Sequence, residues 1–163
     1  MIVIIIEIFL SIISLYFIGK KVSPYFYFTK KSFLLTFICS ILYFLVIYLV
    51  KDTYLGQEAF GKFIQQSIAH GSIWTLTFYP IIIAFSEELF FRLYFRSEKI
   101  NMLLASLIFT ALHWRPDYFP TLIFPLLFVF ALMQWSLLKK TKSLWPVIIT
   151  HLVACYSLLL IYI

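Results

Sequence analysis

The stretch Ala84-Phe85-Ser86-Glu87-Glu88-Leu89-Phe90-Phe91-Arg92 decides how this chain is read. Two adjacent carboxylates lie inside an otherwise apolar run, Ile73 to Phe95, that is long enough to cross a bilayer. A charge at membrane depth costs about 2.5–3.5 kcal/mol on insertion scales, so such residues face a cavity or a partner. Helical spacing then separates the two. Glu88 and Arg92 are four apart, share a face, and stand in the favoured order for an ion pair. Glu87 is turned about 100° away, so it needs a different environment. Buried without an adjacent cation, it is suited to act as a general acid or base.

The surrounding composition calls for a membrane. Of 163 residues, 63% are hydrophobic and 12% charged, with a mean hydropathy of +1.00. A soluble domain carries about 25% charged residues. The apolar segments are long and do not alternate, which excludes a β-barrel. The fold class is therefore all-α: a polytopic membrane helix bundle of about six transmembrane helices and a short interfacial helix. It forms one domain, 1–163, with a catalytic core over about 73–163. The expected spans are Ile2–Ile18, Ser32–Val50, Ile73–Phe95, Ile100–Trp114, Thr121–Leu138 and Ser143–Ile163. Between the second and third, Phe60, Phe63, Ile64 and Ile68 recur at helical spacing in a polar, glycine-bearing stretch. That pattern predicts an amphipathic helix at the interface over Gly56–Ser72. Met1–Ile18 lacks a basic n-region and an A-x-A site and reads as a retained helix.

Net charge is +6, but no run of basic residues exceeds two, which argues against nucleic acid as a partner. Membrane lipid is the expected partner. Ten Lys and Arg fall in the connections after the first, third and fifth spans: Lys20, Lys21, Lys30, Lys31, Arg92, Arg96, Lys99, Lys139, Lys140 and Lys142. Three, Lys51, Lys62 and Arg115, fall on the other side. The positive-inside rule puts both ends of the chain outside the cytoplasm and turns the glutamates toward it. Cys39 and Cys155 lie in apolar segments and suggest neither a disulfide framework nor a cysteine metal motif.

Of three histidines, His70 lies in the polar stretch and reads as an exposed residue. His113 closes the fourth span, and His151 is inside the sixth. Neutral imidazole can accept a proton, donate one or bind a metal. Glu87, His113 and His151 could hold a divalent ion such as zinc with one position open, although no HExxH helix is present. Straight helices raise a difficulty. Glu88 lies seven residues from Phe95, about 10 Å, whereas His113 lies thirteen residues from Ile100, about 20 Å. For the two to meet, either the third span bends at Pro80 or the Arg92–Asn101 stretch dips into the membrane.

Glu87-Glu88-x-x-x-Arg92, Phe109-x-x-x-His113 and His151-x-x-x-Cys155 together resemble the motifs of the CPBP intramembrane proteases. That family includes type II CAAX prenyl endopeptidases and bacteriocin-processing or self-immunity proteins. The resemblance covers roughly Pro80 to Tyr156. It implies a peptide-bond hydrolase, glutamic or metallo in type, in a bacterial plasma membrane, with its site facing the cytoplasm and a lipidated or amphipathic peptide as substrate. By analogy, Glu87 and His113 activate a water and His151 stabilises the oxyanion or binds that water. Glu88, Arg92, Phe109 and Cys155 support them. The family has Asn or Asp where this chain has Cys155. A thiol donates weakly, and loss of an oxyanion donor costs about 10²–10³ in rate. Two other readings are a non-catalytic peptide-binding or self-immunity relative, and a proton-relay or transport protein.

Overall fold

A computed structural model describes residues 9, 12, 16, 25–54, 56–61, 64–65, 73–95, 100–113 and 124–162. The first expected span apart from Phe9, Ile12 and Tyr16, together with His70, Arg96, Lys99 and the proline-bounded turn Arg115–Pro120, lies outside the described residues.

Helix α1, Lys30–Val50, starts at a reciprocal cap. Thr29 accepts from the Ser32 N–H at 3.0 Å, and the Ser32 hydroxyl takes the Thr29 N–H. Two orphan amides of the first turn are thereby satisfied. Its outward side is aliphatic and aromatic: Phe33, Leu34, Phe37, Ile41, Leu45 and Leu49 are all exposed. With mean hydropathy 2.6 over a window inside 21 residues, α1 is long and apolar enough to cross a membrane. So is the last helix, Trp145–Tyr162, at 1.8. The outward apolar face of α1 has a physical account only if lipid is its solvent.

Helix α2, Ile73–Glu87, contains Pro80 and runs directly into a π-helical segment, Glu88–Tyr94. Phe95 N–H bonds the Phe90 carbonyl, and Ile100 N–H bonds the Phe95 carbonyl at 2.9 Å. Glu88, Leu89, Phe91, Arg92 and Leu93 are all buried. A helix buried on every side belongs to a core.

Helix α3, Met102–Leu112, is capped by the Asn101 side chain on Leu103 N–H. It begins two residues later than the pattern predicts. Helix α4 is described over Phe124–Thr141 and ends three residues later than the Thr121–Leu138 reading, with Pro125 inside it. Helix α5, Trp145–Tyr162, takes Pro146 in its first turn, where a missing amide costs nothing. The α4–α5 turn is tight, with Lys142 at φ 57°.

The two ends of the bundle are tied differently. At one end, Leu144 N–H donates to the Tyr25 carbonyl at 2.7 Å, and the Ser143 hydroxyl reaches the Tyr25 and Tyr27 carbonyls. Tyr27 donates to the Thr141 carbonyl at 3.0 Å. Trp145 is wedged there between the Phe26 and Phe85 rings, both edge-on. At the other end, a π-helical turn, Gly56–Gly61, packs on Tyr162, with the Phe60 ring 6.2 Å away. The core lies between, built from Leu89, Phe91, Leu93 and Phe95 of the π-helical segment with Phe109, Leu138, Val147 and Ile148.

Candidate functional site

The FxxxH spacing places Phe109 and His113 on one face of α3. Their rings lie 4.3 Å apart. At the end of a helix the last carbonyls lack amide partners. His113 N–H turns to the Thr110 carbonyl, and the ring Nδ1 takes the Phe109 carbonyl at 2.8 Å. A carbonyl only accepts, so Nδ1 carries the hydrogen. The ring Nε2 lies 3.4 Å from Glu87 Oε1.

The pair Glu88–Arg92 forms as its spacing predicts. Glu88 Oε2 is 3.0 Å from Arg92 Nε, and both side chains are 0% exposed. The guanidinium lies between the Phe109 ring, 5.4 Å from its carbon, and the Trp135 ring at 5.7 Å. Glu88 does more than the spacing reveals. Its other oxygen, Oε1, is 2.8 Å from His151 Nδ1. Facing a carboxylate oxygen that accepts, His151 Nδ1 is the donor of this contact. Its Nε2 then faces Glu87 Oε2 at 3.7 Å. Nothing local in the sequence could signal this contact, which bridges 63 residues.

The structure thus brings Glu87, His113 and His151 together. Phe95 is 6% exposed and sits in the core, with Phe90 and Phe91 packed on its ring.

Glu87 is buried, and its Oε2 accepts no hydrogen bond. The His113 side chain is 24% exposed and forms the open side of the cluster. An apolar cavity of about 290 Å³ lies on another face of α3, lined by Leu107, Thr110, Ala111, Phe124, Pro125 and Phe128. Cys155, one turn beyond His151, sets its thiol close to the His151 ring. Neither neighbouring hydroxyl stands in for the missing asparagine. Thr150 is bonded to Gln134 and to its own helix, and Tyr156 donates to the Thr77 carbonyl at 2.5 Å.

One carboxylate and two imidazoles are donors that zinc accepts. Among the described residues, however, no group of three or more His, Cys, Asp and Glu side chains is arranged to hold an ion. The two imidazoles approach different oxygens of Glu87, so no step is assigned to a metal.

The type II CAAX prenyl endopeptidase, Rce1-like, family model matches residues 69–156, which contain all three motifs. Neither a curated protein nor a solved structure matches the chain. With the matched stretch spanning over half the sequence and ending just beyond Cys155, the chain belongs to the Rce1-like type II CAAX prenyl endopeptidases, a family of helical integral membrane proteases.

Proposed function

We propose that this protein is an endopeptidase that cuts a membrane-associated, lipidated or amphipathic peptide with a water activated by Glu87 and His113. One observation carries this reading. Both imidazole Nε2 atoms converge on the two oxygens of Glu87, at 3.4 and 3.7 Å, while each Nδ1 is held by a partner of its own. A water held at this cluster can give a proton to Glu87 and keep a lone pair for the peptide carbonyl. Glu87 takes the proton as the carbon–oxygen bond forms, and the leaving amine receives it as the carbon–nitrogen bond breaks. His151, oriented by Glu88, faces the same carboxylate and is placed to hold that water. Glu88 and Arg92 hold His151 and the helix, and Phe109 holds His113.

The charge distribution supports a cytoplasm-facing site. Lys30, Lys139, Lys140 and Lys142 gather at the end of the bundle where Tyr25–Thr29 meets the α4–α5 turn. Lys51 lies at the Tyr162 end, with fewer cations.

The test uses membranes carrying the protein and a quenched, farnesylated peptide ending in a C-a-a-X sequence. Cleavage should appear with the wild type and be lost in Glu87→Gln and in His113→Ala at equal expression. Undiminished cleavage in both variants overturns the mechanism. A second reading, peptide binding without turnover, is favoured by one observation: the thiol of Cys155 has no hydroxyl beside it to replace the family's amide. If that reading holds, the wild type is silent and Cys155→Asn gains cleavage. If turnover is native, Cys155→Asn changes the rate of an enzyme already active.

A further inference from the structure

The three motifs draw their residues from α2 and its π-helical extension, α3 and α5. Helix α4 contributes none, yet it makes one contact to His151 and one to its neighbour Thr150. Phe130 sets its ring edge-on to the His151 imidazole, with centroids 5.1 Å apart. The same ring lies 6.1 Å from Phe109, which stacks on His113. Phe130 thus stands between the supports of the two catalytic histidines. Gln134, four residues on and therefore on the same face of α4, is 0% exposed, and its Oε1 accepts the Thr150 hydroxyl at 2.9 Å. Thr150, also 0% exposed, immediately precedes His151.

An amide buried in a membrane bundle is costly unless it is bonded. An aliphatic residue at 134 would pack as well against the α4–α5 interface and need no partner. Thr150 does not need Gln134 for its own satisfaction either. Its hydroxyl also lies 2.9 Å from the Pro146 carbonyl and 3.0 Å from that of Val147, both in its own helix. What the Gln134–Thr150 bond adds is a fixed rotation of α5 about its axis at the residue beside His151. His151 Nδ1 must meet Glu88 while Nε2 faces Glu87, and a small rotation of α5 would break one contact or the other.

We propose that Gln134 and Phe130 are positioning residues of the hydrolytic site. Gln134 sets the rotation of α5 through Thr150, and Phe130 holds the plane of the His151 ring. The proposal rests on the protease reading for its kinetic arm only.

The experiment compares Gln134→Met, Thr150→Val, Thr150→Ser and the double variant Gln134→Met/Thr150→Val in the full chain. The first two keep volume and remove the bond, and Thr150→Ser keeps the hydroxyl. Expected is a fall in kcat of about tenfold or more on the farnesylated C-a-a-X peptide, with KM within about twofold. Thr150→Ser should retain activity, and the double variant should be no worse than the poorer single one. A parallel arm records the ¹⁵N imidazole signals of His151 in detergent, where the Nδ1-protonated form should dominate in the wild type and in Thr150→Ser and lose population in Gln134→Met, Thr150→Val and Phe130→Leu. An unchanged His151 spectrum in those three variants overturns the proposal. So does an effect confined to KM, or one that Thr150→Ser fails to rescue. If the wild type cuts no peptide while the imidazole spectra move as expected, the protease reading fails and the positioning role stands.

Discussion

At the residue scale, the paired glutamates are divided by what each one meets. Glu88 carries two charge-assisted contacts, one to Arg92 and one to His151, and has no exposure. Removing one partner of a buried pair strands the other, at a cost of about 3–5 kcal/mol. Arg92→Met should therefore lower the thermal unfolding temperature in detergent sharply, whereas Arg92→Met/Glu88→Leu, with both charges gone, should recover part of the loss. If the double variant is less stable than the single one, Glu88 is held chiefly by other groups. Glu87 has the opposite character. Its Oε2 is buried without a hydrogen bond, so Glu87→Gln should cost activity far more than stability. The division between the two was readable from the 100° separation of neighbours on a helix. The tie from Glu88 to His151 was not, because it depends on how α5 is rotated.

At the element scale, sequence pattern located helices well and their register poorly. Hydropathy found the spans of α1 through α5 to within a few residues. It had no means of showing that the helix changes to a π register at Glu88, because periodicity inside an all-apolar segment is nearly silent. That change matters, since π-helical turns recur at functional sites and this one presents Glu88 and Arg92. The π-helical turn at Gly56 offers a sharper test. A Cβ there would lie 2.0 Å from the Val50 carbonyl oxygen and 2.7 Å from the Tyr162 hydroxyl. Backbone cannot yield as a side chain can, so Gly56→Ala should destabilise by about 1–3 kcal/mol. Thermal unfolding of this variant beside Gln57→Ala, which alters an exposed neighbour, checks it. Equal melting of the two would show that the turn moves freely away from Tyr162.

At the scale of the whole molecule, the charge asymmetry predicts orientation. A reporter fused after Ile163 should be active outside the cytoplasm, and one placed in the α4–α5 turn should be active inside. Adding lysines near Lys51 should weaken that preference, because the bias and not the fold sets sidedness. A C-terminal reporter active only in the cytoplasm would reverse the assignment and put the site on the other side.

The sequence by itself determined that this is a helical membrane protein, that its polar residues inside the spans are few and purposeful, and which three motifs carry them. Those are properties of composition and of spacing along one helix, and both are local. Only the tertiary structure decided that Glu87 stands between two imidazoles, that Glu88 meets both Arg92 and His151, and that α4, which carries no motif, packs its Phe130 ring on His151. Each of these depends on the rotation and depth of one helix against another. Hydropathy cannot encode either, because every face of these helices is apolar, and it is packing and a handful of buried hydrogen bonds that select one arrangement.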